Sequence, residues 1–158
     1  MKVLVVGAGP VCTALVPLTE AVGWTPVVAT SLDEFVPHVA DADAVVVLAH
    51  EGDVDGPAIK AALAAGTAYV GAMGSRRTQA RRREWMLANG VTETGLEALH
   101  APIGLDIGAD APGEIAVAIL AEIIAVRRNA VERAASIAGR EGPIHPGLAP
   151  GEASCPGG

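Results

Sequence analysis

Met1–Cys12, MKVLVVGAGPVC, is the stretch whose reading decides the fold. Val3–Val6 is an unbroken apolar run, the pattern of a parallel strand buried on both faces. It leads into Gly7-Ala8-Gly9-Pro10-Val11-Cys12 and then a helical pattern over Thr13–Val22. Strand, glycine turn and helix in succession are the context that gives G-x-G-x-x-G spacing its meaning. Gly7 permits a tight turn, and Gly9 lets a phosphate approach the backbone. The helix start at Pro10 and Val11 then faces the anion. The third fingerprint position holds Cys12 in place of glycine, which sets helix and strand slightly further apart. Cys12 itself reads as a small packing residue under the turn and not as a nucleophile. The plain alternative is a glycine turn that binds nothing.

Outward from this turn, strands and helices alternate. Gly23 stops the first helix, Thr25–Ala29 forms a second strand, and Ser31 or Asp33 caps a short helix over Asp33–Val39. Ala44–Ala49 is a third buried strand, and His50–Gly56 an acidic loop. Pro57 opens a helix ended by Gly66. Ala68–Gly71 gives a fourth strand, Ser75 caps a helix reaching about Asn89-Gly90, and Pro102–Ile107 gives a fifth strand. In Asp110-Ala111-Pro112-Gly113-Glu114, Pro at the first helical position and Glu at the third start a long helix expected to run to about Ala138. The fold class is therefore α/β: a Rossmann-like doubly wound parallel sheet, three-layer α/β/α, with five strands expected in order 3-2-1-4-5 and right-handed crossovers. Residues 1–138 make one domain. Residues 139–158, rich in Gly and Pro, read as a disordered tail.

Composition narrows the function. The chain has 158 residues, 51% of them hydrophobic, and only four aromatics: Trp24, Phe35, Tyr69 and Trp85. Its core must then be built of Ala, Val, Leu and Ile. A net charge of −7 argues against nucleic acid or an anionic membrane as partner. Two cysteines, Cys12 and Cys155, make no disulfide framework, so a reducing cytoplasm is the expected home. The longest apolar run, Ile115–Ala121, is too short to span a bilayer.

Ligands of such sheets sit beyond the carboxyl ends of the strands. Gly7-Ala8-Gly9, Ala29-Thr30, His50 and Met73–Thr78 all fall there. The loop Gly74-Ser75-Arg76-Arg77 joins backbone donors, a helix start and two guanidinium forks, all favouring phosphate. Arg81, Arg82 and Arg83 read as a solvated basic face, and Asp53 and Asp55 as loop solvation. His50 either faces a ligand or is a loop histidine bonded to backbone. The second strand ends in Ala29-Thr30-Ser31, without the acid that binds ribose in most dinucleotide folds, and Asp33 comes several residues late. No catalytic set is recognisable: Tyr69 is followed four residues on by Met73 and not Lys, and no G-x-S-x-G, paired-cysteine or H-E-x-x-H motif is present. No metal site is expected. The last helix is apolar on two sides, Ile115, Ile119, Ile123 and Val126 on one and Val117, Leu120, Ile124 and Val131 on the other. The sheet covers one side, and a second subunit is expected on the other.

Two runs carry a resemblance. Ala68–Thr78 (AYVGAMGSRRT) and Leu99–Glu122 (LHAPIGLDIGADAPGEIAVAILAE) resemble the Rossmann-type C-terminal domain of the XdhC/CoxI family, accessory proteins of molybdenum hydroxylases such as xanthine dehydrogenase and carbon monoxide dehydrogenase. The likeness covers about Lys2–Arg128. It implies a maturation factor that binds molybdenum cofactor, protects it during sulfuration and delivers it to the apo-enzyme. Gly7, Gly9, Pro10, Val11, His50, Gly74, Ser75, Arg76 and Arg77 would bind that cofactor. Full-length members carry a further N-terminal domain with cysteine motifs, so this chain is similar to a stand-alone second half whose partner chain supplies the rest. The family's Thr-His-Asp after the third strand is here Ala49-His50-Glu51. Two other readings stay open: a small NAD(P)-dependent oxidoreductase, and an oligomerisation module without ligand.

Overall fold

The computed structural model describes residues 1–49 and 52–134. The chain alternates β1 (Lys2–Val6), α1 (Pro10–Ala21), β2 (Thr25–Ala29), α2 (Leu32–Val39), β3 (Ala44–Val47), α3 (Gly52–Ala64), β4 (Tyr69–Ala72), α4 (Arg76–Ala88), α5 (Glu93–Glu97), β5 (Leu99–His100) and α6 (Pro112–Arg127). All strand pairings are parallel. The result is a Rossmann-like α/β fold.

Successive residues of a strand point to opposite faces, and the core divides accordingly. Val3, Val5, Ala44, Val46 and Tyr69 pack against α1 and α6 through Leu15, Ile119 and Ile123. Leu4, Val6, Val45, Val47 and Val70 pack against Phe35 of α2, Ile59 of α3 and Met86 of α4. With few aromatics, these aliphatic side chains fill both layers, as the composition requires.

The sheet order is β2-β1-β3-β4-β5, which corrects the expected 3-2-1-4-5 on one point: β3 lies against β1, not outside β2. The reason is local. In β2, TPVVA, Pro26 has no N–H to give a ladder, and Thr25 and Val28 are exposed, so the strand suits an edge. β3, AVVV, is buried throughout and needs neighbours on both sides. The chain therefore reverses its winding between β1 and β3, and the crevice at that reversal is where ligands of doubly wound sheets lie.

Other boundaries moved. The fifth strand is only Leu99–His100, not Pro102–Ile107. Gly104 (φ 101°) and Gly108 (φ 74°) turn that later stretch away from extended geometry. α3 begins at Gly52, so much of the expected acidic loop is helix. α6 stops at Arg127, where Asn129 at φ 50° breaks it, and a single 3₁₀ turn follows at Val131–Arg133. His50, and the boundary and tail expected at 138–158, lie outside the described residues. Among the described residues, no helix is long and apolar enough to cross a membrane.

Candidate anion-binding site at the carboxyl edge of the sheet

The first rim loop is nearly bare backbone. Gly7 sits at φ 111° and its N–H donates to the Ala29 carbonyl at 2.8 Å. A Cβ on Gly7 would lie 2.7 Å from the Ala49 nitrogen, so glycine is required there because the ends of β1 and β3 press together. Gly9 differs. It also has positive φ, 110°, but a Cβ there would meet nothing within 4 Å. Gly9 is the N-cap of α1, and no side chain caps this helix. Pro10 lacks an N–H, and the Thr13 N–H closes the first turn on the Gly9 carbonyl at 3.0 Å. That leaves the N–H groups of Val11 and Cys12 without helical partners, at the positive end of the helix dipole. The Cys12 side chain points into the core, 7% exposed, and burial pushes its thiol pKa up. A buried, protonated thiol is a packing group.

The second rim loop, after β4, is braced by side chains. The Met73 N–H donates to the Val47 carbonyl at 2.8 Å. Gln79 Nε2 donates to the carbonyls of Ala72 (3.1 Å) and Gly74 (3.2 Å). Both terminal nitrogens of Arg82 donate to the Met73 carbonyl at 3.2 Å. Three consecutive carbonyls are thus turned toward α4. Because a trans peptide points its N–H opposite to its C=O, the N–H groups of Gly74 and Ser75 point away from α4. Ser75 caps α4, its Oγ accepting from the Thr78 N–H at 3.2 Å. Arg76 and Arg77 follow, both exposed.

Two sequence expectations fail here for one reason. Arg82 is not part of a solvated face, and Asp55 does not solvate a loop. They form an ion pair at 2.9 Å with side chains only 5% and 8% exposed, and Arg82 Nη1 also donates to Gln79 Oε1 at 2.5 Å. The partners are 27 residues apart, so no local pattern couples them. Arg81 and Arg83 are exposed as expected, and Arg83 pairs with Glu93 at the surface.

The site residues divide into two sets. Gly7, Gly9, Pro10 and Val11 stand at the end of β1, with α1 on one face of the sheet. Gly74, Ser75, Arg76 and Arg77 stand at the end of β4, with α4 on the other face. The expected order made β1 and β4 neighbours. In the structure β3 runs between them, so the two loops are separated by two strand spacings, about 10 Å. His50 follows β3 in the sequence and lies outside the described residues.

At the end of β2 the structure supplies an acid that the sequence reading overlooked. Glu34 Oε2 accepts from the Thr30 N–H (2.7 Å) and the Thr30 hydroxyl (2.9 Å). These bonds hold its carboxyl below the usual range. The signal was S-x-x-E at Ser31–Glu34, a capping box. A second polar cluster lies under α6. The Tyr69 hydroxyl donates to Glu122 Oε2 at 2.5 Å, the Gly104 N–H donates to the same oxygen at 2.8 Å, and His100 Nδ1 lies 3.4 Å from Oε1. Burial pushes the Glu122 pKa upward, but the bonds from His100, Tyr69 and Gly104 together bring it below the ordinary value. Tyr69 is held neutral by burial and by that carboxylate, and its ring stacks on His100 at 4.8 Å. Its role is to anchor α6 to the sheet.

The parallel sheet, winding reversal and exposed glycine turn define a Rossmann-type α/β domain. Comparison with known proteins makes the assignment specific: the XdhC Rossmann-domain family matches residues 3–123, and the chain belongs to it. It is 34% identical over 96 residues to a probable xanthine dehydrogenase subunit of Bacillus subtilis (strain 168), and 43% identical over 63 residues to the uncharacterized protein YqeB of Escherichia coli (strain K12). Those stretches are 61% and 40% of this chain, but 26% and 12% of the relatives. A crystal structure of a xanthine dehydrogenase from Bacillus halodurans superimposes with a TM-score of 0.64 at 23% identity. That match covers 86% of this chain and 45% of the other, and it shows the shared fold.

Proposed function

We propose that this chain is the cofactor-handling domain of a maturation factor for molybdenum hydroxylases of the xanthine dehydrogenase or carbon monoxide dehydrogenase type. Membership of the XdhC Rossmann family supports the association, as does the name of the B. subtilis relative. The observation that carries the binding step is the uncapped start of α1, where Gly9 leaves open space beside the N–H groups of Val11 and Cys12. That cradle fits a phosphate-bearing ligand such as molybdenum cofactor. The ligand's phosphate sits at Gly9–Val11. Its length crosses the end of β3, and Arg76 and Arg77 meet its far side, with the outward N–H groups of Gly74 and Ser75 behind them. The bound cofactor supplies the molybdenum chemistry needed by the client enzyme, while this chain binds and orients it. The partner is an apo-hydroxylase, in the cytoplasm.

Calorimetry of the wild type and of Arg76→Ala/Arg77→Ala, with molybdopterin species and with NAD(P)H, tests this. The wild type binds the molybdopterin species, and the double variant binds it about 10- to 100-fold more weakly, the equivalent of one or two charge-assisted hydrogen bonds. Tight nicotinamide binding untouched by the arginine changes would instead favour an NAD(P)-dependent oxidoreductase, with Glu34 the acid at the end of β2.

A further inference from the structure

α6 has an outward stripe that its own chain leaves open among the described residues. Glu114, Val117, Ala121, Ile124 and Arg128 follow one another at spacings of three and four, so they share one face of the helix. The opposite face, with Ala116, Ile119 and Ile123, is buried against α1 and the sheet. Val117 is 47% exposed and Ile124 40%, large values for aliphatic side chains in the middle of a helix. Ile124 also lines a shallow groove with Val22, itself 43% exposed, Trp24, Arg127 and Arg128. The Arg127 guanidinium lies 6.0 Å from the Trp24 ring centre, over the ring. The stripe thus runs from an acid at its first turn, through two aliphatic side chains, to two cations at its last.

A two-fold interface needs a surface complementary to itself. This stripe has that property when two copies of α6 lie antiparallel. With the axis between Leu120 and Ala121, Val117 of each copy meets Ile124 of the other, and Glu114 of each meets Arg127 and Arg128. A chain of net charge −7 repels its copies over most of its surface, so an apolar stripe whose acid and cations are matched across the axis is where self-association is favoured. We infer that a second copy of this chain covers α6, forming an antiparallel α6–α6 dimer that turns the carboxyl edges of both sheets to solvent-accessible ends. The inference is independent of what the rim binds.

Sedimentation equilibrium of the full chain at micromolar concentration tests it, with circular dichroism confirming that each variant folds. The expected wild-type mass is twice the 15.9 kDa of one chain. Ile124→Asp replaces two buried aliphatic contacts per dimer by charges and weakens dimerisation about 100-fold or more. Arg127→Glu/Arg128→Glu sets acids against Glu114 and yields monomers, and adding Glu114→Lys to that variant restores the dimer. A monomeric wild type overturns the proposal, whether residues 135–158 or another protein then covers the stripe. A dimer unaffected by Ile124→Asp, or charge reversals that fail to compensate, overturns it equally.

Discussion

The two loops at the carboxyl edge meet one problem, a helix start with unpaired N–H groups, in opposite ways. At α1 the solution is omission: Gly9 has no side chain, Pro10 has no N–H, and nothing caps the turn. At α4 it is bracing: Ser75 caps the helix, Gln79 and Arg82 bind the loop from within it, and Asp55 holds Arg82. Bare backbone leaves its donors for a ligand. The braced loop commits its carbonyls inward, and its outward donors take their direction from a buried ion pair. A ligand that spanned both would meet one end that is open and another that is pre-organised.

The largest effect is expected from breaking the brace. Asp55→Ala strands a buried guanidinium, and loss of one partner of such a pair costs about 3–5 kcal/mol. Urea denaturation of the variant measures it. Asp55→Leu/Arg82→Met, which removes both charges, recovers most of that stability while leaving the Met73 carbonyl without its donor. Ligand affinity then stays low although the fold is restored, which separates the brace's service to the site from its service to the fold.

The open loop is sharpened by its two glycines. Gly7→Ala puts a Cβ 2.7 Å from the Ala49 backbone at positive φ, and both strain and clash apply. About 3 kcal/mol is the expected loss. Gly9→Ala meets no neighbour within 4 Å, so only the backbone penalty remains, about 1–2 kcal/mol. The thermal melts of the pair should rank in that order. Yet Gly9→Ala, which puts a methyl group where the proposed phosphate would approach, is expected to harm ligand binding more per kcal/mol of stability lost.

The anchor under α6 serves as a control remote from both loops. Tyr69→Phe removes one hydrogen bond to a buried carboxylate, worth about 1.5–3 kcal/mol. The Glu122 pKa is depressed in the folded state, so its contribution is present above the unfolded carboxylate pKa and is lost as pH falls through the folded one. Stability of the wild type measured against pH on the acid side should fall more steeply than that of Glu122→Gln. Rim binding at neutral pH should be unchanged in either variant.

The sequence carried the parts of this design that local pattern encodes. Val3–Val6, Ala44–Val47 and the glycine turn announce themselves by apolar runs and spacing, and Pro112 with Glu114 marks the start of α6, where Glu114 bonds back to the N–H groups of Asp110 and Ala111. The order of strands was less legible, although Pro26 was a usable sign that β2 lies at an edge. β5 escaped because two residues make no pattern, and α5 because a five-residue helix offers little beyond its Thr92 cap. The Asp55–Arg82 pair joins α3 to α4 across 27 residues, and only the packing of the two helices makes it. The open loop could be read residue by residue. The braced one needed the fold.

Ser75 gives the smallest effect and the finest test, because the sequence reading made it a ligand contact while the structure gives its hydroxyl an internal task. Its Oγ accepts the Thr78 N–H at 3.2 Å and lies 3.1 Å from the Thr78 hydroxyl. Ser75→Ala forfeits an N-cap, about 1 kcal/mol of stability by chemical denaturation. If the cap is all that Ser75 provides, affinity for the phosphate-bearing ligand is unchanged, or rises slightly as the Thr78 N–H is released toward the rim. A loss of affinity of about tenfold or more would mean that the hydroxyl leaves Thr78 for the ligand, and that the braced loop opens on binding to resemble its bare counterpart at α1.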